Sequence, residues 1–125
     1  MRGFRRYALV ALIGVPLQAH HGSAVSYDLT QKITLTGKVA QYIWGNPHVY
    51  LIFDVPGSSG TEMSWRAETY APIKIAKAGW TSTSLKPGDK VTVTVFPSRP
   101  GAYRGFIEKV VFPDGKVSDL GNPTE

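Results

Sequence analysis

The chain has 125 residues, no cysteine and a net charge of +5, so we expect one domain. The absence of cysteine excludes disulfides, iron–sulfur clusters, thiolate zinc sites and cysteine nucleophiles. The basic residues beyond position 19 stand mostly singly and leave a net charge of only +2 there, so we predict no nucleic-acid partner.

The first 19 residues differ from the rest of the chain. Three arginines by position 6 precede an uncharged apolar run over residues 8–15, which Pro16 ends, and Ala19 offers a small residue for cleavage. The run is too short to cross a bilayer, since a spanning helix needs roughly 20 residues. We therefore predict a secretory signal peptide over residues 1–19. The mature protein would be secreted and would work outside the cytoplasm, without stable membrane insertion.

A polar lead over residues 20–31 precedes the first predicted strand, residues 33–43. Alternation in this strand predicts one face made of Ile33, Leu35, Gly37, Val39, Gln41 and Ile43. Gly37 is a candidate position for a bulge. The strand ends at the turn signal Gly45, Asn46 and Pro47.

A second strand is predicted over residues 48–55, which are rich in β-branched and aromatic residues. A Pro/Gly/Ser loop separates it from a third strand, residues 61–70, which returns as its hairpin partner. Residues 72–78 are the helical candidate, with Pro72 at the first helical position and Gly79 as the C-terminal cap. We expect Ile73 and Ala76 to face the core and Trp80 to close one end of it.

Strict alternation over residues 90–96 predicts a fourth strand, and residues 103–112 form the fifth, with Gly105 as a candidate bulge. Residues 118–125 are expected to be a frayed tail. Five strands with one short helix between strands 3 and 4 predict an all-β fold, a small five-stranded OB-like barrel over residues 32–117.

Several short motifs together resemble one family, although each motif alone is weak. They are Ala19-His20-His21-Gly22-Ser23, Tyr27-Asp28, Leu35-Thr36-Gly37-Lys38-Val39, Trp44-Gly45-Asn46-Pro47-His48, Trp65 with Glu68 and Pro72, Gly79-Trp80, Leu85-Lys86-Pro87-Gly88-Asp89 and Asp114-Gly115-Lys116. The chain is similar to the bacterial exported proteins of the domain of unknown function 6152 family. This resemblance implies a periplasmic protein without established activity. Gly22 departs from the pattern, since the family more usually continues from the second histidine directly to serine.

The three histidines are the strongest candidates for a functional site. Cleavage after Ala19 would make His20 the N-terminal residue, whose amine and ring could chelate one metal ion. A ring nitrogen of His48, or alternatively of His21, would supply a third nitrogen. Planar nitrogen sets suit Cu(II), and binding would displace the amine proton. Cleavage after Ala24 is the less favoured alternative and would remove both leading histidines.

Glu68 and Asp28 are candidates for groups that support such a metal site. Glu68 could also act as a general base, pair with Arg66 or Lys74, or accept N–H groups at the helix start. Asp28 lies in the polar lead. A structural role for His48, as a strand residue bonded to backbone, is the competing interpretation.

Recognised catalytic motifs do not occur, since the sequence has no G-x-S-x-G elbow, H-E-x-x-H motif, phosphate loop or dinucleotide fingerprint. We therefore favour a non-catalytic binding or accessory domain whose partner is copper or another exported protein. A structural interaction module without a metal is the alternative hypothesis. A copper-dependent redox enzyme is the least favoured.

Overall fold

The computed structural model describes residues 27–98 and 102–123. The predicted signal peptide, His20 and His21 therefore lie outside the described residues. The described part holds strands β1 (Ile33–Ile43), β2 (Tyr50–Pro56), β3 (Glu62–Glu68), β4 (Lys90–Pro97), β5 (Arg104–Val111) and β6 (Val117–Asp119). Helix α1 (Pro72–Ile75) continues into a 3₁₀ turn (Ala76–Ala78) between β3 and β4. Within these residues, no helix has the length and apolarity that a membrane crossing requires.

The strands close into a barrel. Antiparallel pairing gives the order β3-β2-β1-β4-β5, and a parallel pairing between β3 and β5 joins the two ends. Closure removes the open edges that a flat sheet would expose. The predicted all-β, five-stranded OB-like barrel with a short helix between strands 3 and 4 is confirmed.

The core is built from the inward-facing residues of every barrel strand. Leu51, Phe53 and Val55 of β2 pack against Val93 and Val95 of β4, and each is at most 7% exposed. Each of these aliphatic or aromatic side chains contributes about 1.5–3 kcal/mol when fully buried. A chain without disulfides depends on this burial for its stability.

The face predicted for the first strand is correct only as far as Val39. A register shift between Val39 and Gln41 in the β1–β2 pairing reverses the alternation, so Gln41 and Ile43 are exposed and Tyr42 packs against the core. The bulge therefore does not lie at Gly37. An added Cβ at Gly37 would lie 2.2 Å from the Asp54 carbonyl oxygen, so glycine there permits a close approach of β1 and β2.

The bulge in β5 also differs from the expected position. The β4–β5 register shifts between Thr94, opposite Lys109, and Val95, opposite Ile107. The extra residue in β5 is therefore Glu108, and Gly105 lies three residues earlier. A Cβ at Gly105 would approach the Val95 side chain to 2.6 Å, so glycine there serves packing.

The helix lies where the sequence predicts it, but a different face is buried. Ile75 is 1% exposed, whereas Ile73 is 79% exposed and Ala76 is also exposed. Tertiary packing therefore buries a single side chain of this short helix, that of Ile75. Gly79 ends the 3₁₀ turn with a φ of 88°, as predicted for the cap, and Trp80 is 2% exposed within the core.

The C-terminal residues carry structure that the sequence analysis did not predict. From Ser118 onward we expected a frayed tail, but Val117–Asp119 form β6, which pairs with residues 109–111 of β5. The Trp80 indole N–H donates to the Ser118 hydroxyl at 2.8 Å, and the Leu120 N–H donates to the Glu108 carbonyl at 2.7 Å. These bonds tie the segment to the barrel.

A second apolar cluster lies on the outer surface of β4 and β5. Phe96 and Phe106 occupy outward positions and are nevertheless at most 2% exposed. The segment formed by residues 27–31, called the strap below, covers them. A bridge between Tyr27 and Ser98 and a 2.8 Å bond from the Asp28 N–H to the Pro97 carbonyl hold the strap in place.

Candidate functional site

Three polar side chains that are distant in sequence meet on the outer face of the barrel. His48 Nδ1 lies 3.1 Å from Glu68 Oε1, and the Tyr27 hydroxyl donates to Glu68 Oε2 at 2.8 Å. One carboxylate therefore holds an imidazole with one oxygen and a phenol with the other. We call these three residues the carboxylate cluster.

Strand geometry brings His48 and Glu68 together. The Val49 N–H donates to the Tyr70 carbonyl at 3.0 Å, and the Thr69 N–H donates to the Val49 carbonyl at 2.9 Å. These bonds extend the β2–β3 ladder past its regular end. Val49 is buried, so alternation turns His48 toward the outer face that Glu68 also occupies.

Tyr27 reaches the cluster from the strap. Its ring packs 5.7 Å from the ring of Phe106, which places the hydroxyl beside the end of β3. Burial raises the pKa of the Tyr27 phenol well above its ordinary value, and the hydrogen bond to Glu68 raises it further. The phenol is therefore a proton donor to the carboxylate at neutral pH.

The His48 ring is oriented with one nitrogen available. A carboxylate only accepts hydrogen bonds, so Glu68 Oε1, 3.1 Å from Nδ1, favours a hydrogen on that nitrogen rather than a lone pair. No hydrogen bond to Nε2 occurs within residues 27–98 and 102–123, and 42% of the side chain is exposed. A carboxylate that fixes the tautomer and makes the ring more basic is the usual partner of a metal-binding histidine.

The other predicted site residues are distributed differently. His20 and His21 lie outside the described residues. Asp28 Oδ1 accepts hydrogen bonds from the N–H (3.0 Å) and the hydroxyl (2.6 Å) of Thr30. In the part of the chain that the structure describes, no three histidine or acidic side chains converge as a metal would require.

Glu68 makes neither of the lysine or arginine pairs considered from sequence. The Arg66 guanidinium lies 4.3 Å from the centre of the Tyr50 ring, and the Lys74 ammonium lies 3.6 Å from that of Tyr70. These cation–π contacts turn both cations toward aromatic faces instead. Sequence reasoning missed the Tyr27 contact because 41 residues separate Tyr27 from Glu68. The only available signal was the aromatic residue in an otherwise polar lead.

Comparison with known proteins identifies the family and leaves its activity open. The profile of a family of unknown function, DUF6152, matches residues 8–108, which confirms the resemblance found in the sequence. No functionally curated protein shows significant similarity to the chain.

Two solved structures are similar to this chain at low sequence identity. The mitochondrial single-stranded DNA-binding protein Rim1 of S. cerevisiae is 10% identical with a TM-score of 0.47, covering 73% of this chain and 96% of its own. A ZRD-deleted mutant of TiaS in complex with agmatine is 18% identical with a TM-score of 0.44, covering 76% of this chain and 23% of its own. The barrel assignment rests on strand pairing within the chain itself.

Proposed function

The chain belongs to the family of unknown function DUF6152, and we propose that it is an exported, non-catalytic binding domain whose ligand is a Cu(II) ion. His48 Nε2 would supply one nitrogen, and the α-amine and ring of His20 would supply two more after cleavage behind Ala19. The observation that carries this proposal is the contact between His48 Nδ1 and Glu68 on a side chain that is 42% exposed.

The position of Tyr27 supports the contribution from His20. Seven peptide units separate His20 from Tyr27, and an extended chain of that length spans at most about 25 Å. The Tyr27 hydroxyl and His48 Nδ1 contact the two oxygens of one carboxylate, so the described chain begins beside the proposed ligand. The connecting chain is therefore long enough for His20 to reach His48.

Glu68 gives the proposed site its supporting carboxylate. It would hold the His48 ring in the tautomer that binds a cation. Tyr27 would hold the second oxygen of that carboxylate and so limit its rotation. Asp28 Oδ1 accepts two hydrogen bonds from Thr30, and we assign its carboxylate no contact with the proposed metal.

The first test is the mass of the exported protein and its copper spectrum. We expect the mature chain to begin at His20 and to bind one Cu(II) with nitrogen hyperfine coupling in electron paramagnetic resonance. His20→Ala and His48→Ala should each remove nitrogen coupling. Glu68→Gln should keep the coupling but weaken affinity by roughly tenfold or more, as loss of a supporting partner does.

His21→Ala is the matched control, because it removes an imidazole beside His20 without touching the proposed ligands. It should leave the spectrum and the affinity unchanged. A mature chain that begins at Val25, or a spectrum that His48→Ala leaves intact, would refute the proposal. Loss of coupling in His21→Ala alone would give the third nitrogen to His21 instead.

A further inference from the structure

Two arginines stand side by side on the outer face of the barrel where β3 and β5 close it. Arg66 and Arg104 are direct partners in the parallel register, and both are exposed. The Arg66 N–H donates to the Tyr103 carbonyl at 2.9 Å, which fixes this register. Like charges directly opposite one another in a sheet are unfavourable, so an anion between these two side chains would be favoured.

One of the two guanidinium groups is already oriented. The Arg66 guanidinium carbon lies 4.3 Å from the centre of the Tyr50 ring, on the neighbouring strand β2. Stacking uses the flat face of a guanidinium and leaves its N–H edge free to donate. We call Tyr50, Arg66 and Arg104 the two-arginine face.

The acidic residues of the chain do not neutralise this face. Eight of the nine lie in the described part, and only Glu125 lies outside it. Glu68 is the nearest outward acidic residue on β3, and both of its oxygens are engaged by His48 and Tyr27. Within residues 27–98 and 102–123, neither Arg66 nor Arg104 forms an ion pair with a carboxylate.

Several lysines of the described part behave differently. Lys32, Lys86, Lys109 and Lys116 each lie within ion-pair distance of a carboxylate of the chain. The two arginines differ from these lysines because they are adjacent and neither forms an ion pair with a carboxylate of the described residues. The Arg66 side chain is also held in place by the Tyr50 ring.

From these contacts we propose that the two-arginine face binds an oxyanion group, the carboxylate or phosphate of a small ligand, between Arg66 and Arg104. Each guanidinium presents a fork of N–H donors that matches the oxygen spacing of either group. A bound anion would also relieve the repulsion between the paired arginines. This site needs no copper and does not rest on the function proposed above.

The test titrates the exported protein, freed of metal with chelator, with inorganic phosphate and separately with succinate at low ionic strength. Binding is followed by the NMR signals of the arginine side-chain N–H groups. We expect saturable shifts at Arg66 and Arg104 with at least one anion. Arg66→Gln and Arg104→Gln should each weaken binding about fivefold, which corresponds to one exposed ion pair near the upper end of its range.

Matched controls distinguish binding at a specific site from a general effect of net charge. Lys109→Gln and Lys116→Gln remove the same charge elsewhere and should change affinity less than twofold. Arg104→Lys keeps the charge but loses the fork, and should also weaken binding. Tyr50→Leu should weaken binding by freeing Arg66.

The outcomes are decisive in both directions. Saturation by phosphate alone assigns a tetrahedral oxyanion, and saturation by succinate alone assigns a carboxylate. Linear, unsaturated shifts with both anions overturn the proposal, as does equal weakening by the lysine controls. Because the titration contains no copper, its failure would leave the metal proposal untouched, and the reverse also holds.

Discussion

At the scale of single residues, a partly buried tyrosine, Tyr42, connects the fold to pH. The Tyr42 hydroxyl donates to the Thr81 carbonyl at 2.8 Å, beneath the loop that follows Trp80. Burial raises the pKa of Tyr42 from 10.0 to about 12, partly offset by a hydrogen bond with Ser84. The folded barrel therefore favours the protonated form of the Tyr42 phenol.

This pKa predicts how stability falls in alkali. Between pH 10 and about 12 the unfolded chain releases the Tyr42 proton while the folded chain keeps it, so the free energy of unfolding decreases with pH. Tyr42→Phe should be less stable below pH 10 because it lacks the hydrogen bond. The difference in unfolding free energy between Tyr42→Phe and the unsubstituted protein should shrink or reverse toward pH 12. Chemical denaturation at several pH values measures this, and a constant difference would contradict it.

Glu68 illustrates what residue type alone leaves open. From the sequence, Glu68 could act as a general base, form an ion pair, accept N–H groups at the helix start or support a metal ligand. In the structure its partners are His48 and Tyr27, because Arg66 and Lys74 turn toward tyrosine rings. The partner of a surface carboxylate depends on which side chains the fold delivers within about 3 Å.

At the scale of strands, glycine marks where two backbones approach rather than where a strand bulges. Gly37 faces the Asp54 carbonyl across the β1–β2 pair, while the bulge itself falls between Val39 and Gln41. That bulge moves Tyr42 from the outer to the inner side of β1. Sequence periodicity cannot reveal this bulge. A bulge reverses which residues face inward, but no particular amino acid marks its position.

Gly37→Ala therefore tests the close approach directly. The added Cβ would lie 2.2 Å from a backbone oxygen that cannot rotate away, so β1 and β2 would have to separate locally. We expect destabilisation of about 1–3 kcal/mol or more by chemical denaturation.

Gly45→Ala is the control, since its nearest neighbour would be the Ile43 Cγ2 at 4.0 Å and its φ is not in the left-handed region. It should change stability by less than about 1 kcal/mol. Equal effects of the two substitutions would show that the Gly37 contact is unimportant.

At the scale of the whole molecule, β5 holds the barrel together. One of its edges pairs with β4, while the other is shared between β3, at residues 104–106, and β6, at residues 109–111. The strap then covers the outward phenylalanines of β4 and β5 and delivers Tyr27 to Glu68. The carboxylate cluster consequently depends on a segment outside the barrel.

Removal of the strap tests this dependence. A chain that begins at residue 32 should uncover Phe96 and Phe106 and lose the Tyr27 hydrogen bond. We expect a loss of about 2–4 kcal/mol in unfolding free energy, since burial of one large apolar side chain contributes about 1.5–3 kcal/mol.

A chain that begins at Val25 retains the strap and serves as the control, and it should unfold like a chain that begins at His20. Unfolding curves that coincide for the chains beginning at residues 25 and 32 would show that the strap adds no stability.

The sequence by itself determined the five barrel strands, the short helix with its glycine cap and the OB-like order of elements, because alternation, proline and glycine act over a few residues. It also singled out His48 and Glu68 by residue type. Only the tertiary structure decided that these two residues touch, that Tyr27 joins them, that a bulge turns Tyr42 inward and that Arg66 meets Arg104. These contacts join positions tens of residues apart, and their geometry follows from barrel closure, register and packing, which no local pattern encodes.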